Sequence, residues 1–517
     1  MQRRSLIKML FAGVAAPLGL TACEPSDRVA VAAAPGGSAA AKILTIAQGN
    51  DILSLDPADH GNNSTEASLV NLYDYLIDKD FSSGELVFTP ALAQSWKAET
   101  PQRWIFTLRR DVTWHDGAPF TARDVKFTIE RTLADKKLRS NAKFRGIVQV
   151  TAADDHTVVI ETDAPDTLLL HKFVGNGAAI LPAAAFQKAG GKEAFFKQPI
   201  GTGPYRYNAW IKADRLVLDR NPNWWGGTPA WDQVVVRAIP ETTTRVSEFI
   251  TGGVDIAVNV PPEDIARIKA NTGTDVVAFD IARNLALHVR TGKDWPTSHP
   301  KIREAIDLAI DREALAKQVV EGYARPTRGF FPKAIPGYAA SLDAPLPYDP
   351  ARARALLTEA GFPDGVKIRL SSPSGRYVKD REISEAVAGY LQEAGFTVQL
   401  EILDWTVYNT KVTSDTFGEL YLWGMGSYTD GSVLFRDKFD RHYDWVDPAF
   451  ERLGVQARNA TDEAQRVALI RDGQTLLAEQ RVRIGLLYPQ SIYGISDRIR
   501  FAGRFDEMIP AEAVSLA

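Results

Sequence analysis

The chain has 517 residues, with 60 Lys and Arg against 64 Asp and Glu, a formal net charge of -4, 45% hydrophobic residues and a single cysteine. This balance holds no basic block of the kind that binds nucleic acid, and one cysteine excludes a disulfide framework within the chain. A chain of this length can bury enough apolar surface to fold without one.

At the N-terminus, Arg3, Arg4 and Lys8 precede an apolar run from Met9 to Leu20 that is too short to cross a bilayer as a helix. It reads as an export signal ending in Leu20-Thr21-Ala22-Cys23. This resembles the signals of bacterial lipoproteins, in which cleavage leaves the cysteine N-terminal and lipid on its sulfur holds the protein to a membrane surface. A buried or chance cysteine behind an ordinary signal peptide is the alternative. Arg3-Arg4-Ser5-Leu6-Ile7-Lys8 also resembles a twin-arginine signal, so export by that route or by the Sec route stays open. Loss of residues 1–22 removes three positive charges and takes the net charge to -7. Residues 23–41 then form a lipid-anchored tether, because the Ala, Pro, Gly and Ser that dominate it bury too little to offset ordering. No second apolar stretch reaches membrane-spanning length.

The roughly 476 residues that follow suggest about three domains. Ile43-Leu44-Thr45-Ile46-Ala47 reads as an opening strand, stopped by Leu55-Asp56-Pro57, and Ser68 to Leu76 has a helical look. Trp104, Phe106 and Leu108 alternate as on a half-buried strand, and His115-Asp116-Gly117 marks a turn. Thr121 and Asp124 then make a capping-box start for a helix carrying Val125, Ile129 and Leu133. Strands are expected at 157–160, 216–218, 234–238 and 254–259. In the second half, Ile302, Ile306 and Ile310 recur every fourth residue, and Asp311 caps a second helix that Gly322 ends. Asp349, Pro350 and Gly361 bracket another, and the helix at Ile383 to Leu391 runs through Gly395 into a strand at Thr397 to Leu403. The mixture is that of an α/β protein.

The residues supply no catalytic constellation. The seven histidines are scattered, with none at a metal-site spacing, and neither a nucleophile elbow nor a Walker loop occurs. His115 reads as a turn residue. Gly201-Thr202-Gly203-Pro204 reads as a structural turn, since its proline removes a donor that a phosphate cradle needs. Trp224 and Trp225 read as packing. Trp405, Tyr421, Trp423 and Tyr428, with Arg376 upstream and Asp430 after, form an inventory suited to a binding site; core tryptophans and solvated charges are the competing interpretation, and Asp430 also sits in a common turn sequence.

Several strings, in this order, resemble one family along almost the whole mature length, from about Ile43 to about Glu512. They are Pro90-Ala91-Leu92-Ala93-Gln94-Ser95-Trp96, Trp104-Ile105-Phe106-Thr107-Leu108-Arg109, Trp114-His115-Asp116-Gly117 with Ala118-Pro119-Phe120-Thr121-Ala122-Arg123-Asp124-Val125, Gly201-Thr202-Gly203-Pro204-Tyr205, Asn221-Pro222-Asn223-Trp224-Trp225 and Arg303-Glu304-Ala305-Ile306-Asp307-Leu308-Ala309-Ile310-Asp311-Arg312. The chain resembles the extracellular solute-binding proteins of family 5, receptors of bacterial ABC importers for peptides and nickel. The resemblance implies a two-lobed α/β periplasmic-binding-protein fold (type II, cluster C) with an extra domain in lobe one. Lobe one would comprise 42–57, 181–284 and 481–517, the extra domain 58–180, and lobe two 285–480. A ligand held between closing lobes would be passed to a permease complex of the inner membrane.

In oligopeptide receptors of this family, an aspartate three residues after a lobe-two tryptophan binds the peptide amine. Here that tryptophan corresponds to Trp423 and the third residue on is Gly426, so Ser427 or Asp430 would have to substitute. Arg376 lies near the segment where dipeptide receptors place a carboxylate-binding arginine, a role its bidentate geometry suits. The expected ligand contacts are Arg376, Trp405, Trp423, Tyr428 and Asp430 in lobe two and Asn50 in lobe one. The expected protein is a periplasmic or cell-surface lipoprotein and a monomer. It takes a peptide-like or other small solute, with no cofactor, no metal, no nucleic acid and no catalysis. A sugar, opine or nickel-chelate receptor, a secreted hydrolase, and a chaperone-like lipoprotein are the alternatives.

Overall fold

The computed structural model describes residues 41–344, 346–414, 416–426, 429–435 and 444–517. Cys23, Ser427 and Tyr428 lie outside the described residues. Residues 41–517 form one compact unit, and among the described residues no helix is long and apolar enough to cross a membrane.

A twelve-stranded mixed sheet runs through this unit. Strand Ile43–Gln48 pairs in parallel with Gln233–Ala238 on one edge and with Ile256–Ala257 on the other, so Leu44, Ile46 and Ala47 are buried as expected of a strand flanked on both sides. Gln233–Ala238 continues antiparallel through Arg215–Arg220 to Tyr205–Ile211. At the other end, Val366–Ser374 lies parallel to both Phe396–Asp404 and Leu420–Gly426. Helix Asp380–Glu393 connects the first two by the crossover that parallel strands require.

The halves of the sheet are joined by Arg283–Val289 and the fourteen-residue strand Arg483–Ser496. The latter pairs through Arg483–Leu487 with Arg283–Val289, and through Gln490–Ser496 with Thr274–Asp280. The register slips between Leu285 and Ala286, leaving Leu486 as the extra residue of a bulge. Ile484, Leu486 and Leu487 pack with Leu285, Ile306 and Ile368 in the core of the second half, whereas Tyr493 and Ile495 pack with Leu44 and Leu218 in that of the first. This strand therefore belongs to both halves.

A separate antiparallel sheet of four strands, in the order Ala93–Thr100, Arg103–Leu108, Thr157–Thr162, Ile147–Asp154, packs against helix Ala122–Ala134 around Phe106, Leu108, Val125, Ile129 and Ile160. The Thr121–Asp124 capping box is present. The anticipated turns meet here: Gly201 donates its N–H to His115 Nδ1 (3.1 Å), and His115 Nε2 lies 3.0 Å from the Gly203 carbonyl. Burial pushes His115 down to about 4, so the ring is a neutral strut at physiological pH.

Three elements differ from the sequence reading. The first helix is Asn63–Leu69, starting at the Asn62 cap. It stops there because the Leu72 and Asn71 carbonyls are taken by the N–H groups of Gly203 and Tyr205. The helix capped by Asp311 shortens to Arg312–Ala314 followed by a π-turn at Leu315–Val319, and the strand anticipated at 254–259 is ordered as such only over Ile256–Ala257.

Candidate ligand site

Strand Val366–Ser374 delivers the chain to a tight loop. The buried Asp380 carboxylate accepts the N–H groups of Gly375 (3.0 Å), Arg376 (2.8 Å), Tyr377 (3.0 Å) and Arg381 (2.9 Å). Burial pushes this carboxyl up to about 6, against the pull of those four donors. The loop thus fixed aims Arg376 inward, leaving the residue 7% exposed. Its guanidinium carbon lies 5.1 Å from the Tyr377 ring centroid and 5.2 Å from that of Trp405, both within cation–π range. Its Nε makes no hydrogen bond among the described residues. Desolvation first, and the charge of Arg283 second, hold the Arg376 guanidinium below its ordinary value. A buried cation in this condition is costly unless an anion joins it.

Trp405 opens helix Trp405–Ser414, and Trp423 stands on strand Leu420–Gly426. Their rings are 5.7 Å apart at 31°, and Tyr408 stacks on Trp423 at 6.3 Å. Trp405 is buried, with its indole Nε1 unpartnered among the described residues. Two orphan donors, Arg376 Nε and Trp405 Nε1, therefore lie beside an aromatic wall.

The first half of the molecule closes on this loop. A Cβ on Gly49 would lie 3.0 Å from the Gly375 carbonyl, so Gly49, which follows strand Ile43–Gln48 and precedes the half-buried Asn50, abuts the Arg376 loop. Asn259 Nδ2 reaches the Arg376 carbonyl (3.5 Å), and Lys379 pairs with Glu263. Lys379 and Asn259 both hold positive φ, 59° and 57°, a conformation that asparagine tolerates but that is uncommon for lysine.

Arg376, Trp405 and Trp423 thus come together, and Asn50 follows Gly49, the residue that faces their loop. Asp430 is placed differently from the expectation. It is buried in an ion pair with Arg466 and accepts the Ser432 N–H at 2.7 Å; burial opposes its ionisation, but His171 and Arg466 hold its carboxyl below the usual range. Its charge is committed within the fold. The sequence reading missed Tyr377, whose hydroxyl accepts the Gly424 N–H (3.0 Å), and Arg283, which is 4% exposed, stands 5.4 Å from the Tyr377 centroid and pairs with Glu507. Arg283 precedes a run of apolar strand residues and carried no local signal; Tyr377 follows Arg376 directly and was the one within reach. Among the described residues no group of three or more His, Cys, Asp or Glu side chains is placed to hold a metal ion.

Comparison with known proteins agrees with this architecture. Glutathione-binding protein GsiB of Salmonella choleraesuis is 31% identical over 372 residues, 71% of this chain and 70% of its own, and GsiB of Pectobacterium atrosepticum is 32% identical over the same span. The periplasmic binding protein DppA of Helicobacter pylori, solved with the peptide STSA, superposes with a TM-score of 0.82 at 24% identity, covering 92% of this chain and 98% of its own. A dipeptide-binding protein of Pseudoalteromonas sp. SM9913, solved with Met-Leu, gives 0.84 at 21% identity, covering 92% and 100%. These are two-lobed periplasmic binding proteins, and this chain shares their fold. The model of the bacterial extracellular solute-binding proteins, family 5, matches residues 87–441, and the chain belongs to that family.

Proposed function

We propose that this protein captures a peptide-like solute bearing a carboxylate between its lobes and delivers it to the permease of an ABC importer, without chemical turnover. The observation that carries the reading is Arg376, a desolvated guanidinium stacked on Tyr377 and Trp405 whose Nε has no partner among the described residues. A ligand carboxylate there gains charge-assisted hydrogen bonds in a site from which water is excluded, and relieves the cost of burying the cation alone. Trp405 and Trp423 supply an apolar wall for the ligand body, and Asn50 is the lobe-one contact. The peptide complexes of similar structures support the solute class. In this reading Cys23 carries the lipid anchor that keeps the receptor at the membrane beside its permease. An opine receptor is the second reading, favoured by the similar structure of AgaA with agropinic acid, at a TM-score of 0.80.

The test is calorimetric titration of the purified protein and its Arg376→Met variant with a peptide library and with any ligand that copurifies. Loss of at least a hundredfold in affinity, with the fold intact by circular dichroism, is expected. Unchanged affinity removes Arg376 from the site and the reading with it.

A further inference from the structure

The charge around Tyr377 narrows the ligand further. Arg283 and Gly426 are cross-strand partners, and a Cβ built on Gly426 would lie 3.1 Å from the Arg283 guanidinium carbon, 3.2 Å from its Nη2 and 3.0 Å from the Ala282 carbonyl. The side of the strand that residue 426 would fill is filled by a cation. That cation is locked in place: Arg283 donates to Glu507 through Nε (3.1 Å) and Nη2, and to the Gly424 carbonyl through Nη1 (3.2 Å). It shares the ring of Tyr377 with Arg376.

The carboxylates whose charge reaches Arg376 are Glu507 and Asp380. Glu507 receives Arg283 and Asn63 Nδ2 (3.1 Å) on one oxygen, and Asp380 is saturated by four backbone donors. Asp430 is taken by Arg466. Among the described residues, an ammonium group brought to this end of the site would meet a buried guanidinium and carboxylates already engaged, and would lose its hydration without a counter-ion.

We propose that the site selects anionic ligands that carry no free amine at the end facing Arg283 and Gly426, such as peptides blocked at the amino end or small dicarboxylates: Arg283 and Arg376 form a cationic pair across Tyr377 that admits a carboxylate and rejects an ammonium. The proposal rests on the receptor reading above and deepens it.

Four probes test it by calorimetry on the purified protein: trialanine, its N-acetyl derivative, N-acetyl-trialanine amide, and glutarate. N-acetyl-trialanine is expected to bind at least tenfold more tightly than trialanine, and its amide at least tenfold more weakly than the acid. Glutarate binding in the absence of peptide binding also supports the proposal, while sinking the peptide reading. Trialanine binding as tightly as its acetyl derivative overturns the proposal and leaves the receptor reading standing; binding of none of the four overturns it. Arg283→Lys should keep the preference and Arg283→Gln should narrow it at least threefold, since the latter releases Glu507 as a counter-ion for an amine. A preference unchanged in a folded Arg283→Gln protein also overturns it.

Discussion

If the Asp430–Arg466 pair is structural, Asp430→Asn should cost stability and spare ligand affinity. Arg466 is 1% exposed and Asp430 6%. Asparagine keeps an acceptor but no charge, and among the described residues the other side-chain contacts of Arg466 are a long one to Ser432 Oγ (3.4 Å) and one to Glu463 at 3.5 Å, whose side chain is 70% exposed and compensates little. Leaving one partner of a buried pair uncompensated costs about 3–5 kcal/mol. For a lobe of roughly 200 residues, at about 2–4 °C per kcal/mol, that is a fall in Tm of about 6–20 °C. Differential scanning calorimetry with ligand titration on the same samples measures both quantities. The double variant Asp430→Leu with Arg466→Met removes both charges, and its Tm should return to within about 5 °C of the parent, since apolar replacement of a buried pair is often neutral. An unchanged Tm for Asp430→Asn accompanied by abolished binding refutes the reasoning and makes Asp430 a ligand contact.

Other outcomes follow from the same geometry. Tyr377→Phe removes the acceptor of the Gly424 N–H and should destabilise lobe two by about 1–3 kcal/mol, measured by urea denaturation, with weaker ligand binding. Gly201→Ala sets a Cβ 1.9 Å from the Leu72 carbonyl oxygen, a clash with backbone that should cost about 1–3 kcal/mol or more and be read in soluble yield and Tm. Burial disfavours the charge on Asp506, but Lys79 and Arg504 outweigh it and hold its carboxyl well below the usual range. A depressed folded pKa gives stability that is complete above the unfolded value of about 4, declines below it, and is lost as pH falls through the depressed folded value. Asp506→Asn should therefore flatten the acid limb of a Tm-against-pH curve below about pH 5 and lower the plateau above it; an acid limb as steep as the parent's counts against this assignment.

The sequence disclosed what local rules govern. The capping box at Thr121, the Asp349 cap and the alternation at 104–108 each rest on residues within a few positions of one another, and each recurs in the structure. The first helix was misplaced because its end is set by a loop some 130 residues later, through bonds to Leu72 and Asn71. The site divides similarly. Arg376, Trp405 and Trp423 announced themselves by type. Asp430 looked like a ligand group because its partner, Arg466, lies 36 residues on in another helix. Arg283 went unnoticed because its importance comes from register against Gly426 and from a bond to Glu507, 224 residues away.

The strand shared by the two halves bears on how they are joined. Its handover from one half to the other falls at Leu487 to Gln490, next to the bulge at Leu486 and including Pro489, which has no N–H to give to a ladder. That stretch is braced by a third segment of chain: Leu487, Tyr488 and Pro489 pair antiparallel with Pro326, Arg325 and Ala324, and Gln490 donates its N–H to the Tyr323 carbonyl at 2.9 Å. Arg283 sits beside it, where the chain passes from Thr274–Asp280 into the neighbouring antiparallel strand Arg283–Val289. The Arg283–Glu507 pair is therefore built into the seam between the two halves of the sheet, and a substitution at either residue acts on that seam as well as on the surroundings of Tyr377.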